Sequence, residues 1–130
     1  MVGIVIVSHS VKIAEGVKEL ALQMAKGHPV FTAGGTADGG IGTDPIRIQE
    51  AMEAANSGDG VVVMADLGSA VMSVGLAKEM LDPDLAEVVK LANAPIVEGA
   101  IAATVEASMG SSLEKVLQTA HDARNMDKID

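Results

Sequence analysis

The 130-residue chain has no cysteine, no tryptophan and no tyrosine, and Phe31 is its single aromatic residue of that class. Without thiols there is no disulfide, no thiolate nucleophile and no cysteine-ligated metal site, and the redox compartment is left open. Without aromatic platforms, unpaired nucleobases have nothing to stack on. Basic residues are scarce too: 9 Lys and Arg against 18 Asp and Glu give a formal net charge of −9, which repels nucleic-acid phosphates and anionic membrane surfaces. No apolar run is long enough for membrane insertion, and the first one lacks a preceding basic region and a cleavage site, so a cytoplasmic setting is expected. His9, His28 and His121 are too scattered for a local ligand motif, so no metal is expected. The glycine-rich stretch GGTADGGIGT lacks the Gly-Lys-Ser/Thr ending of a nucleotide P-loop, no dinucleotide fingerprint follows the first apolar run, and no serine-nucleophile elbow occurs.

What the chain does have is aliphatic residues. Hydrophobic residues make up 48% of it, enough in this length for one domain, 1–130, with a substantial core. That core is expected to consist of Val, Ile, Leu, Ala and the eight Met, with the Met stripes acting as filling.

Ile4 to Val7, inside GIVIVSHS (Gly3 to Ser10), are four stiff β-branched residues in a row and predict a strand buried on both faces. Helical spacing follows, with Ile13, Val17, Leu20, Ala21 and Met24 on one side of a helix capped by Ser8 or Ser10. Pro29 to Ala33 reads as a second strand. Thr43 or Asp44 caps a helix with Pro45 in its first turn and Ile48, Met52 and Ala55 inside. Val61 to Ala65 is another fully apolar strand, followed by a helix that starts at Gly68 and Ser69, carries Ala70, Val71, Val74, Ala77 and Leu81, and stops at Asp82-Pro83-Asp84. Leu85 to Leu91 fits a short helix leading into a strand, or a strand alone, with the strand placed over Val88 to Ala92. A helix from Pro95 to Gly110 and a last one bearing Leu113, Val116, Leu117 and Ala120, capped by Ser111 or Ser112, complete the chain. Strands alternating with helices predict an α/β domain with a mainly parallel sheet.

The candidate chemistry lies in three loops that follow strands: Ser8, His9 and Ser10; Gly39 to Thr43; and Asp66 to Ser69. In such sheets ligands bind beyond the carboxyl ends of the strands, at a topological switch point. With the first and third strands adjacent there, Asp66 faces His9, and a carboxylate bonded to one imidazole nitrogen fixes the tautomer and leaves the other nitrogen free as nucleophile or base. The opposing reading makes Asp66 a turn residue and His9 a loop residue. Helix-start amides and the hydroxyls of Ser10, Thr43 and Ser69 suit a phosphoryl group on His9. His28 and His121 read as packing or surface histidines.

Taken together, VIVSHS with AEGVKELA, GGTADGGIGT, VVVMADLGSA and APIVEGA resemble the DhaM family, the phosphotransferase subunits of bacterial dihydroxyacetone kinases. The resemblance covers nearly the whole chain. It implies the mannose-type enzyme IIA fold: three layers, a mainly parallel four-stranded sheet in the order 2-1-3-4, and helices on both faces. It also implies that His9 is the phosphorylated histidine, with Asp66 orienting it. Phospho-HPr would be the donor and ADP held on a partner subunit, DhaL, the acceptor, serving DhaK-bound dihydroxyacetone; this chain itself would bind no cofactor. Ser10, Gly42, Thr43, Gly68 and Ser69 are the candidates for phosphate and partner contacts. A homodimer is implied as well. Some relatives continue into HPr-like and enzyme I-like domains, so free HPr is the expected donor, and some carry an acidic residue where Gly75 stands. A mannose-type enzyme IIA serving a sugar transporter, and a regulatory module without turnover, are the alternatives. The sugar-transport branch more often has Thr-His-Gly at the histidine, whereas VSHS and DLGSA favour the dihydroxyacetone branch.

Overall fold

A computed structural model describes residues 1–130. Four strands, β1 (Gly3–Ser8), β2 (Val30–Gly34), β3 (Val61–Ala65) and β4 (Val89–Leu91), form one parallel sheet in the order β2-β1-β3-β4. The register pairs Val7 with Ala33 on one side and with Ala65 on the other, so the three loops that follow β1, β2 and β3 leave the sheet at the same edge. The chain runs from β1 outward to β2 and then back past β1 to β3. The switch point therefore lies between β1 and β3, where His9 and Asp66 emerge.

Alternate side chains of the central strands serve two cores. Ile4, Ile6, Val62 and Met64 face α1 (Val11–Met24), α5 (Ile96–Ser108) and α6 (Leu113–Asp122). Val5, Val7, Val61 and Val63 face α2 (Pro45–Ala55) and α3 (Gly68–Glu79). This is the three-layer arrangement with the strand order expected from the resemblance. Ser10 caps α1, Asp44 caps α2 with Pro45 next to it, and Ser112 caps α6, each through its side-chain oxygen. Met80 closes α3 two residues before Asp82. Pro83 then opens a short helix, α4 (Pro83–Ala86), so Asp82-Pro83-Asp84 begins an element as well as separating two, and the Leu85 region is short helix followed by strand.

Two expectations about packing are corrected. In α1 the buried residues are Ala14, Val17 and Ala21, whereas Ile13, Leu20 and Met24 are about half exposed or more. The core-facing surfaces of α1 and α5 are largely alanine, which lets these helices lie close to the sheet and leaves no room for the longer side chains. Likewise, only Met52 and Met64 fill the core, while the other six Met are exposed, as is Val71 of α3.

His28 is a packing histidine at the opposite sheet edge. It is buried, its Nε2–H donates to the Val2 carbonyl at 2.7 Å, and its buried Nδ1 has no partner. Burial is the main influence holding its pKa below the ordinary 6.5; the Val2 bond works the other way, and the N-terminal charge adds to the lowering. Below that value the unfolded chain binds the proton first, so stability is full above about pH 6.5 and declines as pH falls through the folded-state pKa. Urea denaturation should show this loss as pH falls below about 6.5, and His28→Gln, which keeps a donor for Val2 without a titrating ring, should lessen it. Equal pH slopes for the two proteins would refute the assignment.

Candidate functional site

The strand β1 is buried along its whole length, so its backbone is fixed up to Ser8 and delivers His9 to the sheet edge. The His9 side chain retains 20% of its exposure and that of Asp66 11%. Asp66 Oδ1 accepts from the ring Nδ1 of His9 at 2.9 Å and from the Leu67 amide at 2.7 Å. Its Oδ2 accepts from the Ser8 hydroxyl at 2.8 Å and from the His9 amide at 3.0 Å.

Burial is the largest single influence on Asp66 and would raise its pKa. The bonds from the His9 amide, the His9 ring, the Ser8 hydroxyl and the Leu67 amide together outweigh it and hold the carboxyl below its ordinary 3.8. Asp66 is therefore an anion above that pH, and its contribution to stability is lost only as pH falls through its depressed pKa. An ionised carboxylate only accepts, so the proton of the neutral ring is on Nδ1 and the Nε2 lone pair is free. The Ser69 hydroxyl lies 2.6 Å from Nε2 and is the donor in that pair.

The third loop supplies more than the side chain of Ser69. Gly68 and Ser69 open α3, a helix of twelve residues whose N-cap, Leu67, makes no side-chain cap bond. The amides of Gly68 and Ser69 have no protein acceptor among the hydrogen bonds, and both residues are exposed, with the Ser69 hydroxyl on Nε2. Two free amides at a positive helix end, a hydroxyl and an imidazole lone pair form an arrangement that fits a tetrahedral dianion bonded to Nε2.

The second loop reaches the site through Gly42 and Thr43. The Gly42 amide donates to the His9 carbonyl at 2.9 Å, and the Thr43 hydroxyl is bonded to Ser73 of α3 at 2.6 Å. Both groups brace the site: the first holds the backbone of His9 and the second ties this loop to α3. Gly42 has φ +140, a conformation that side chains oppose, which is why glycine stands there. Thr36 to Gly40 fold on themselves through bonds from the Gly40 amide to Thr36 Oγ1 and Asp38 Oδ1. Ser10 is likewise occupied: its hydroxyl accepts from the Ile13 amide as the α1 cap, and its own amide donates to Ser8 Oγ.

Ser73 is a participant that the sequence reading left out, and Ser8, placed there in the first loop, takes a role beside Asp66 that the reading did not give it. A buried polar residue ending an otherwise apolar strand was the available signal for Ser8; nothing in the spacing marked Ser73. The largest depression on the surface, about 760 Å³, is lined by Asn56, Gly58, Asp82, Pro83, Asp84, Leu85 and Val88 and belongs to the opposite sheet edge. No group of three or more His, Asp and Glu residues is placed to hold a metal ion, and no helix is long and apolar enough to cross a membrane.

A family model described as "PTS system fructose IIA component" matches residues 3–117. The chain is 44% identical to the protein from Klebsiella michiganensis described as "PEP-dependent dihydroxyacetone kinase, phosphoryl donor subunit DhaM", over 99% of this chain and 28% of that one. It is 37% identical to the phosphoryl donor subunit DhaM of "PEP-dependent dihydroxyacetone kinase 2" from Listeria innocua, over 91% of this chain and 95% of that one. Its length thus corresponds to little more than a quarter of the Klebsiella relative and to nearly all of the Listeria one. Among solved structures, the unknown function protein EF1359 superposes with a TM-score of 0.87 at 33% identity over 100% of both chains. The phosphotransferase system component EIIA from Streptococcus agalactiae, 18% identical, superposes with a TM-score of 0.68 over 100% of this chain and 97% of that one, and shares the fold. The chain belongs to the mannose-type enzyme IIA family, and within it to the DhaM subunits of PEP-dependent dihydroxyacetone kinases.

Proposed function

We propose that residues 1–130 act as one cytoplasmic phosphocarrier domain, passing a phosphoryl group from phospho-HPr through His9 to ADP held on a DhaL subunit, for phosphorylation of dihydroxyacetone on DhaK. The observation that carries this reading is the Asp66–His9–Ser69 line, which leaves one ring nitrogen anchored by an anion and the other basic and facing solvent.

In the first step the Nε2 lone pair of His9 attacks phosphorus, the N–P bond forms, and the bond to the donor breaks with its electron pair returning to the donor. The proton on Nδ1 stays in place, and the negative charge of Asp66 stabilises the positive charge that develops on the ring. Ser69 must release Nε2 for the bond to form; its hydroxyl then donates to a phosphoryl oxygen, beside the amides of Gly68 and Ser69. In the second step a terminal phosphate oxygen of ADP attacks the same phosphorus, the N–P bond breaks, and ATP forms while the electron pair returns to Nε2.

A site open to solvent suits a group handed over between docked proteins. Ile41, next to the Gly42 brace, and Leu67, next to Asp66, are strongly exposed, as expected at a surface that partners cover. DhaM names among the relatives favour the dihydroxyacetone branch over a sugar-transporter enzyme IIA.

The test is transfer itself. After charging with phosphoenolpyruvate, enzyme I and HPr, the isolated phosphoprotein should convert ADP on purified DhaL to ATP with stoichiometric loss of its own acid-labile phosphate. Phosphate that stays on the protein in the presence of DhaL and ADP would refute the acceptor, and a protein that takes up no phosphate would refute the reading as a whole.

A further inference from the structure

Ser8 is the one polar side chain of β1 and is completely buried. Its hydroxyl has two neighbours of fixed roles. The Ser10 amide, at 3.1 Å, can only donate to it, and the ionised Asp66 Oδ2, at 2.8 Å, can only accept. The Ser8 proton therefore points at Asp66. Carboxylate torsions are broad and roughly two-fold when left alone. Here each oxygen is held by its own pair of donors: Ser8 Oγ and the His9 amide on Oδ2, the His9 ring and the Leu67 amide on Oδ1. Of these four, Ser8 is the only side chain besides His9 itself.

We propose that Ser8 is a positioning residue: by locking the plane of the Asp66 carboxylate it keeps Oδ1 in line with Nδ1–H and so selects the His9 tautomer whose lone pair lies on Nε2. The inference rests on reading His9 as the nucleophile and adds what sets its protonation pattern. Ser8 touches neither the ring nor the transferred group; it acts through Asp66. Without the hydroxyl, the Ser10 amide loses its acceptor and Oδ2 keeps only the His9 amide, against two donors on Oδ1. The plane of the carboxylate is then no longer fixed, the Nδ1–H to Oδ1 alignment loosens, and the proton of His9 divides between the two ring nitrogens. A ring carrying its proton on Nε2 has no lone pair there to attack phosphorus.

The experiment uses the full chain with Ser8→Ala and Ser8→Thr; threonine keeps the hydroxyl, and its β-branch suits a strand. Nitrogen NMR of isotope-labelled, unphosphorylated His9 reads the tautomer, and phosphorylation by phospho-HPr reads the rate. Ser8→Ala should change His9 from one tautomer to a mixture and slow phosphorylation roughly 10- to 150-fold, the effect of a hydrogen bond to a charged group, with Ser8→Thr restoring both. A folded Ser8→Ala protein with unchanged tautomer and rate would overturn the proposal, because a purely structural role would lower stability and leave the ring spectrum alone. If Ser8→Ala does not fold, Ser8→Cys, of similar shape and weak donor strength, is read by the same two outcomes. A wild-type protein that takes no phosphate would refute the functional reading, while the tautomer comparison would still decide the role of Ser8.

Discussion

Replacing Asp66 with asparagine is expected to slow phosphorylation of His9 by about 10²- to 10⁴-fold, the upper figure being the loss when the carboxylate orienting a catalytic-triad histidine is made an amide. All four neighbours of the carboxylate are donors: the ring of His9, the amides of His9 and Leu67, and the hydroxyl of Ser8. An amide nitrogen at either position must face donors. Facing the ring, it demands a lone pair on Nδ1 and drives the proton onto Nε2; facing Ser8 and the His9 amide, it loses both of those bonds. Either orientation removes the anion that stabilises the charged ring of the phosphorylated state. Stability should fall by about 1–3 kcal/mol, the cost of leaving such donors unsatisfied. Single-turnover phosphorylation and a melting curve on the same protein separate the two effects. A rate near wild type in a folded Asp66→Asn protein would rule out the orienting role.

The larger effect is expected at His9. Glutamine there can still donate to Asp66, so His9→Gln should fold and melt near the wild type, yet phosphate incorporation should fall below detection, a loss of at least about 10⁴-fold for removal of a nucleophile. Neither of the other histidines can take over. His28 is buried, with its Nε2–H bonded to the Val2 carbonyl, and His121 lies on α6, on the far side of one sheet face. Mass spectrometry of the charged protein checks this directly, and incorporation into His9→Gln at the wild-type level would exclude His9 as the carrier.

Much of this arrangement was legible in the residues. The run Ile4 to Val7 has no polar interruption, so a strand covered on both faces followed from it, and with it the placing of His9 at a strand end. Val61 to Ala65 coincides with β3 for the same reason, which put Asp66 at an equivalent position one strand away. Helix starts were readable where side chains do the capping, at Ser10, Asp44 and Ser112.

The outward and inward sides of the helices were harder. In α1, two overlapping apolar stripes share Val17 and Ala21, and the spacing alone does not say whether Ala14 or Ile13 turns inward; the narrow gap to the sheet decides for alanine. In α3, apolar side chains lie nearly all round; Ala70, Val74 and Ala77, and Leu81 just beyond its end, are buried as their spacing indicates, but Val71, counted with them, is exposed along with Met72 and Leu76. The second loop is a different case. Its glycines and hydroxyls are the right groups for holding phosphate, but which partner a donor finds is set by tertiary contact, and here Gly42 meets a carbonyl and Thr43 meets Ser73. The cap of α1 was expected at Ser8 or Ser10, because serine before a helix commonly caps it, and Ser10 is the one that does. The burial of Ser8 at the strand end turns its hydroxyl inward to Asp66 instead.

Everything proposed for the site depends on which ring nitrogen bears the phosphoryl group. Phosphorus NMR on protein carrying isotope-labelled histidine, charged by phosphoenolpyruvate, enzyme I and HPr, reads that nitrogen from its coupling to phosphorus. The expected result is one phosphate per chain coupled to Nε2 of His9; coupling to Nδ1, or phosphate on any other residue, would contradict it.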